Sequence, residues 1–211
     1  MTKPKIIYLA AYKAHHPNHD MDYNDIMKTS EHINVIGDML QVDLEPYDII
    51  IASPPCNFWS RANYQRHNSK YSQMTKHLLP SILSKLSNQN KPFIVENVRN
   101  FNLMYEHKMF NFPCYVYEVG RHTYWTNIPF NPSNIVQDSD FFAANKRIPG
   151  KKGWFMTPDG REVKSAGQDI QQLSRSNRQG GHNVHEVIER WLEVAYDDTQ
   201  NNNRTGTGGT L

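Results

Sequence analysis

The stretch IIIASPPCNFWS, Ile49 to Ser60, starts as an unbroken apolar run and ends in two prolines, a cysteine and an amide. A short β-branched run of this kind reads as a strand buried on both faces, as parallel sheets require. Pro54 and Pro55 have no backbone N–H to give to a neighbouring strand, so the ladder stops there and the chain turns stiffly. Cysteine in an apolar setting is commonly a core thiol. Here the prolines carry Cys56 out of the sheet and display it at the carboxyl end of the strand.

Two other runs match it. KIIYL (5 to 9) and FIVEN (93 to 97) are also short, apolar and β-branched. Between the second and third strands, SQMTKHLLPSILSKLSNQN places Met74, Leu78, Leu79, Ile82, Leu83 and Leu86 at helical spacing, with Pro80 interrupting. Strand, helix, strand implies a right-handed parallel crossover, and such units gather functional groups at the carboxyl ends of their strands. The tips Ser53 to Asn57 and Glu96 to Asn97 are therefore expected to face one crevice. CYVYEV (114 to 119) and HTYWT (122 to 126) read as further strands split by Gly120-Arg121. From Phe130 to Gly181 the pattern weakens into Gly, Pro, Lys and Asn, with GREVKSAG resembling a hairpin arm. Asn183 to Tyr196 carries Val184, Val187, Ile188, Trp191, Leu192 and Ala195 along one helical face.

These elements give an α/β fold. The expected division is a catalytic core over 1–129, a small recognition segment over 130–181, a helix over 182–197 returning to the core, and a disordered tail over 198–211. The chain's 211 residues suit one domain. With 38% hydrophobic and 21% charged residues, and no apolar run long enough for a bilayer, the composition is that of a soluble protein without membrane contact. The opening residues lack a leader's apolar stretch and cleavage site, so a cytoplasmic setting is expected. Cys56 and Cys114 lack the spacing of a zinc site or disulfide framework. Residues 15 to 50 hold eight Asp/Glu and one Lys, whereas 141 to 181 hold eight Lys/Arg and three Asp/Glu. The basic half suits a polyanion, although two solvated surfaces of opposite sign would have the same composition.

ASPPCNFWS followed about forty residues later by VENV on a neighbouring tip resembles the catalytic core of the DNA cytosine-C5 methyltransferase family. In that family a Pro-Cys turn carries the nucleophile and Glu-Asn-Val lies on the next strand. The resemblance implies a Rossmann-like class I methyltransferase sheet with a small irregular target-recognition segment. It also implies catalytic roles for Cys56, Glu96 and Arg121. Pro55, Asn57, Ser60, Asn97 and Thr123 would surround the substrate, with Thr123 standing where the family has a second arginine.

The residue types suit the chemistry. Cytosine C5 becomes nucleophilic only when a thiolate adds to C6, so Cys56 would add, C5 would attack a one-carbon donor, and Glu96 would stabilise the adduct at N3. Arg121 would hold the base carbonyl. Reaching a base inside double-stranded DNA requires flipping it, which needs phosphate grips and a group to fill the stack. FWSRANYQRHNSKY offers Ser60, Arg61, Arg66 and Lys70 for phosphates and Trp59, Tyr64 or Tyr71 to stack or wedge. KRIPGKKGWF adds Lys146, Arg147, Lys151 and Lys152.

The family's donor is S-adenosylmethionine, which implies cofactor contacts at Leu9, Ala10, Asp38 and Pro54, and at Asn183 and Val184 in a closing GGHNVHEVI element. The first strand is followed by AAYKAHHPNHDMDYND, which has no glycine, and only 46 residues separate that strand from Cys56. A sheet abbreviated at the N-terminus, lacking one strand-helix unit, is expected, as in a compact phage-type member acting in a bacterial or infected host cell. A methylene-folate donor transferring a hydroxymethyl group through the same adduct is the alternative. A catalytically inactive DNA-binding relative is another. HHPNHD, with His15, His16, His19 and Asp20, reads as a solvated polar turn, and no metal site is expected.

Overall fold

The computed structural model describes residues 3–11, 14–60, 63, 65–99, 113–120, 122–132, 146–147, 154–156, 162–164 and 180–205. The expected strands form as β1 (Ile6–Leu9), β4 (Ile49–Ala52), β5 (Phe93–Val98), β6 (Tyr115–Val119) and β7 (His122–Thr126). Two more, β2 (Met21–Asp25) and β3 (Val35–Ile36), lie in the acidic stretch. All seven make one sheet in the order β3-β2-β1-β4-β5-β7-β6. Neighbours from β3 to β5 pair parallel, and β7 runs antiparallel to both β5 and β6.

The fold is abbreviated in its N-terminal half as expected, but in its crossovers rather than its strands: β2 and β3 are present, and no helix lies between β1 and β4 among the described residues. Parallel strands ordinarily need a crossover of a dozen or more residues, usually helical. Here hydrogen bonds from side chains hold these short connections. Asn24, fully buried at the end of β2, accepts from the Ala10 N–H and donates to the carbonyls of Val35 and Gly37, tying the ends of three strands together. Lys85 donates to the carbonyls of Leu40 and Val42, and Lys91 to those of Leu44 and Glu45.

The strands' period of two divides the core into two layers. On one face Ile7, Leu9, Ile50, Ala52, Phe93, Val95 and Trp125 pack against Leu79, Ile82, Leu83 and Leu86. Those leucines and isoleucine belong to α2 (Leu78–Ser87), which a break at Lys76-His77 separates from α1 (Lys70–Thr75). Pro80 is not the break: it sits in the first turn of α2, where the missing N–H would have no helical acceptor anyway. Met74 is exposed rather than on the apolar face.

On the other face Ile6, Tyr8, Tyr23, Ile49, Ile51, Ile94 and Tyr124 pack against Val187, Ile188, Trp191, Leu192 and Ala195 of α3 (Gly180–Thr205). Trp191 is fully buried, and its indole Nε1 donates to Thr126 Oγ1 at 2.8 Å. The helix continues through residues 198–205, which were expected to be disordered. Helix propagation costs little once a packed segment has nucleated it, and Thr199 Oγ1 donates to the Tyr196 carbonyl at 2.9 Å. The segment read as irregular contains β8 (Lys146–Arg147), β9 (Trp154–Met156) and β10 (Glu162–Lys164) in an antiparallel sheet, and the GREVKSAG arm supplies β10.

Because α3 alone covers that face among the described residues, Trp191→Ala should lower unfolding free energy by about 3–5 kcal/mol, read as a lower urea midpoint.

Candidate active site

Cys56 follows β4 by four residues and is half-buried. Its carbonyl accepts the N–H groups of Trp59 at 3.0 Å and Ser60 at 2.8 Å, which closes a tight turn around it. The turn is fastened to the next strand by Asn97, a buried side chain whose Nδ2 donates to the Pro54 carbonyl at 2.8 Å while its Oδ1 accepts the Val98 N–H. The two tips therefore do face each other, through the amide that separates Glu96 from Val98.

Glu96 points to the α3 face with the other alternate residues of the sheet. Its side chain is 14% exposed, and His122 Nε2 lies 3.6 Å from Oε1. Burial pushes the carboxyl up to about 7, partly opposed by a hydrogen bond from Ser53. Ser53 also meets the hydroxyl of buried Tyr8 at 2.8 Å, so Tyr8, Ser53 and Glu96 form one chain across three strand ends. Burial raises the Tyr8 and Tyr124 phenols as well, and the Glu96 charge adds to both. Cys56 is raised first by burial and second by the Glu96 carboxylate. Arg99 pairs with Glu118 at 2.6 Å rather than with Glu96. The sequence reading missed Tyr8, Ser53 and His122. Only strand register brings them beside Glu96.

At the other end of the strand tips, Ala10 has φ 54, the left-handed region a glycine would take without strain. The turn expected to need glycine thus forms with alanine. β2 ends at Asp25, followed by exposed Ile26 and Met27. Asp38 is exposed just after β3 and caps a turn by accepting the Leu40 N–H. Leu9 and Pro54 are buried, and Val184 packs against the α3-side core. Asn183 belongs to the first turn of α3, but its side chain lies outside the described residues.

Thr123 is buried on β7 in register with Asn97. Asn57 is exposed, and its carbonyl accepts from Asn63. Pro55 and Ser60 are half-buried; the Ser60 carbonyl accepts from Arg66, whose Nε also donates to His67. Trp59 is corrected from a stacking wedge to a core residue, 4% exposed against the α2-side layer, while Tyr71 is exposed. Arg61, Tyr64, Arg121, Lys151 and Lys152 lie outside the described residues.

The sheet order and the displayed cysteine define a Rossmann-like methyltransferase fold with a Pro-Cys turn after its fourth strand. The family model for C-5 cytosine-specific DNA methylase matches residues 7–118, more than half of the chain, and the chain belongs to that family. The match spans both strand tips. No curated protein matches the chain. No helix among the described residues is long and apolar enough to cross a membrane.

Glu96 binds its proton more tightly folded than unfolded, since its carboxyl moves from 4.5 up to about 7. Its contribution to stability is complete below pH 4.5 and is lost as pH rises through about 7. Glu96→Gln should therefore gain on the unsubstituted chain by about 3 kcal/mol across that window, measured by denaturant unfolding at a series of pH values.

Proposed function

We propose that the chain transfers a methyl group from S-adenosylmethionine to C5 of a cytosine flipped from double-stranded DNA. The observation that carries this reading is the opposition of a displayed Cys56 and a buried Glu96 whose carboxyl is half-protonated near neutrality. Cys56 Sγ, as thiolate, adds to C6 while the Glu96 proton meets the electron density arriving at N3. Addition shifts the double bond to C4=C5, and that enamine carbon would be the nucleophile for the donor's methyl carbon, whose bond to sulfur would break. Loss of the C5 proton to a base, expulsion of the Cys56 thiolate from C6 and return of the N3 proton to Glu96 restore the ring. Ser53, backed by Tyr8, orients the Glu96 carboxyl, and Asn97 fixes the cysteine turn. Arg121 and Thr123 hold the base, while Ser60, Arg61, Arg66 and Lys151 grip the DNA backbone.

Several features support S-adenosylmethionine as donor, and its sulfonium supplies an electrophilic methyl group. The backbone turns left-handed at Ala10, directly after Leu9 at the end of β1. Asp25 is placed to take ribose hydroxyls, exposed Ile26 and Met27 offer apolar cover for a purine, and Asp38 can accept from its amino group. Pro54, Asn183 and Val184 complete the cofactor contacts. The acidic composition of this third of the chain favours a cation over an anionic folate.

Incubation of DNA with methyl-labelled S-adenosylmethionine should place label at cytosine C5, and Cys56→Ala should abolish it; label retained in Cys56→Ala would overturn the mechanism. The pH dependence is a second check. Glu96 must be protonated and Cys56 ionised, so kcat/KM should rise to about pH 7, level off, and fall above the raised Cys56 value. In Glu96→Gln the much lower rate should keep rising past pH 7 with the thiolate fraction.

A further inference from the structure

On the α3 face, away from Cys56, four metal-ligating side chains meet where the β1–β2 connection crosses the last helix. His16 Nδ1 touches Glu189 Oε1 at 2.5 Å, and His19 Nε2 touches Glu189 Oε2 at 2.8 Å. His185 Nε2 lies 3.6 Å from Glu189 Oε1. One ligand atom each from His16, His185 and Glu189 lie within 4.8 Å of one another. This corrects the solvated turn expected of HHPNHD: His16 is 2% exposed and His19 half-buried.

We propose that His16, His19, His185 and Glu189 form a binding site for a transition-metal dication of the zinc type. The ligand atoms of His16, His185 and Glu189 converge, and His19 meets the second oxygen of the Glu189 carboxylate. His16 and His19 are three positions apart on a turn closed by the His19 N–H to the His16 carbonyl, and His185 and Glu189 are i and i+4 on α3. A short-turn pair joined to a helical pair is the usual ligand arrangement in small zinc sites. Imidazole and carboxylate also suit that metal class.

The surroundings supply the outer contacts that hold ligands in place. His19 Nδ1 lies 3.1 Å from the Tyr196 hydroxyl, and the His16 N–H donates to Tyr23 Oη at 2.8 Å. The His16 and His185 rings are stacked, with centroids 4.3 Å apart. Two imidazoles reach one ion in their own planes, so binding turns the more exposed His185 ring edge-on. The ion would then staple the helix-free β1–β2 crossover to α3, across the interface that α3 makes with the sheet.

The test uses the untagged full chain, stripped with a chelator and titrated with Zn(II) alone, with Co(II) as the spectroscopic probe. The expected result is one equivalent bound, a raised Tm that chelator reverses, and the intense visible absorption of tetrahedral Co(II). Glu189→Gln and His185→Gln should each weaken binding at least tenfold. The second substitution, at a 42% exposed side chain, is suited to leave folding intact by circular dichroism. Failure of the intact chain to take up either ion, or equal uptake by a folded His185→Gln chain and a Cys56→Ser control, would overturn the site.

Discussion

The active crevice depends on one buried amide. Asn97 on β5 is sealed from solvent, and its Nδ2 bond to the Pro54 carbonyl joins one tip to the other, beside the Ser53–Glu96 hydrogen bond. A proline pair cannot continue the ladder, so the carbonyl of Pro54 needs a donor from outside its strand. Asn97 provides it and, with its other end, caps its own strand at Val98. Cys56 is thereby held at a fixed distance from the residue preceding Asn97, which is Glu96.

The electrostatics of that pair follow from burial. Both groups are pushed toward their protonated forms, and each ionisation makes the other harder. Protonation of Glu96 removes a charge that raises the Cys56 thiol, so the state of one group sets the ease of ionising the other. Ser53 moderates the carboxyl, and Tyr8 fixes Ser53 from the middle of the sheet.

The same economy runs through the first half of the chain. With no helix between β1 and β4 among the described residues, the loops are held by Asn24 and by the ammonium groups of Lys85 and Lys91 donating to backbone carbonyls. These polar staples replace the area that packed helices would bury. One face then relies on α3, which explains why Trp191 spans to Thr126 and why the His-Glu cluster links α3 to the β1–β2 connection.

The sequence by itself determined the central strands, the helical stretch between β4 and β5, the proline turn that carries Cys56 past the end of β4 and the apolar face of α3. Those are local signals: β-branched runs, proline punctuation and period. Tertiary structure decided the rest. β2 is broken up by Asp22, Asn24 and Asp25, and β3 is two residues long, so neither carries a readable period, and only pairing with β1 makes them strands. Tyr8, Ser53 and His122 stand 45 and 69 residues apart along the chain, yet alternation places all of them on Glu96's face. His16 and Glu189 are 173 positions apart. A cluster assembled from that separation is set by how α3 docks, which no local pattern encodes.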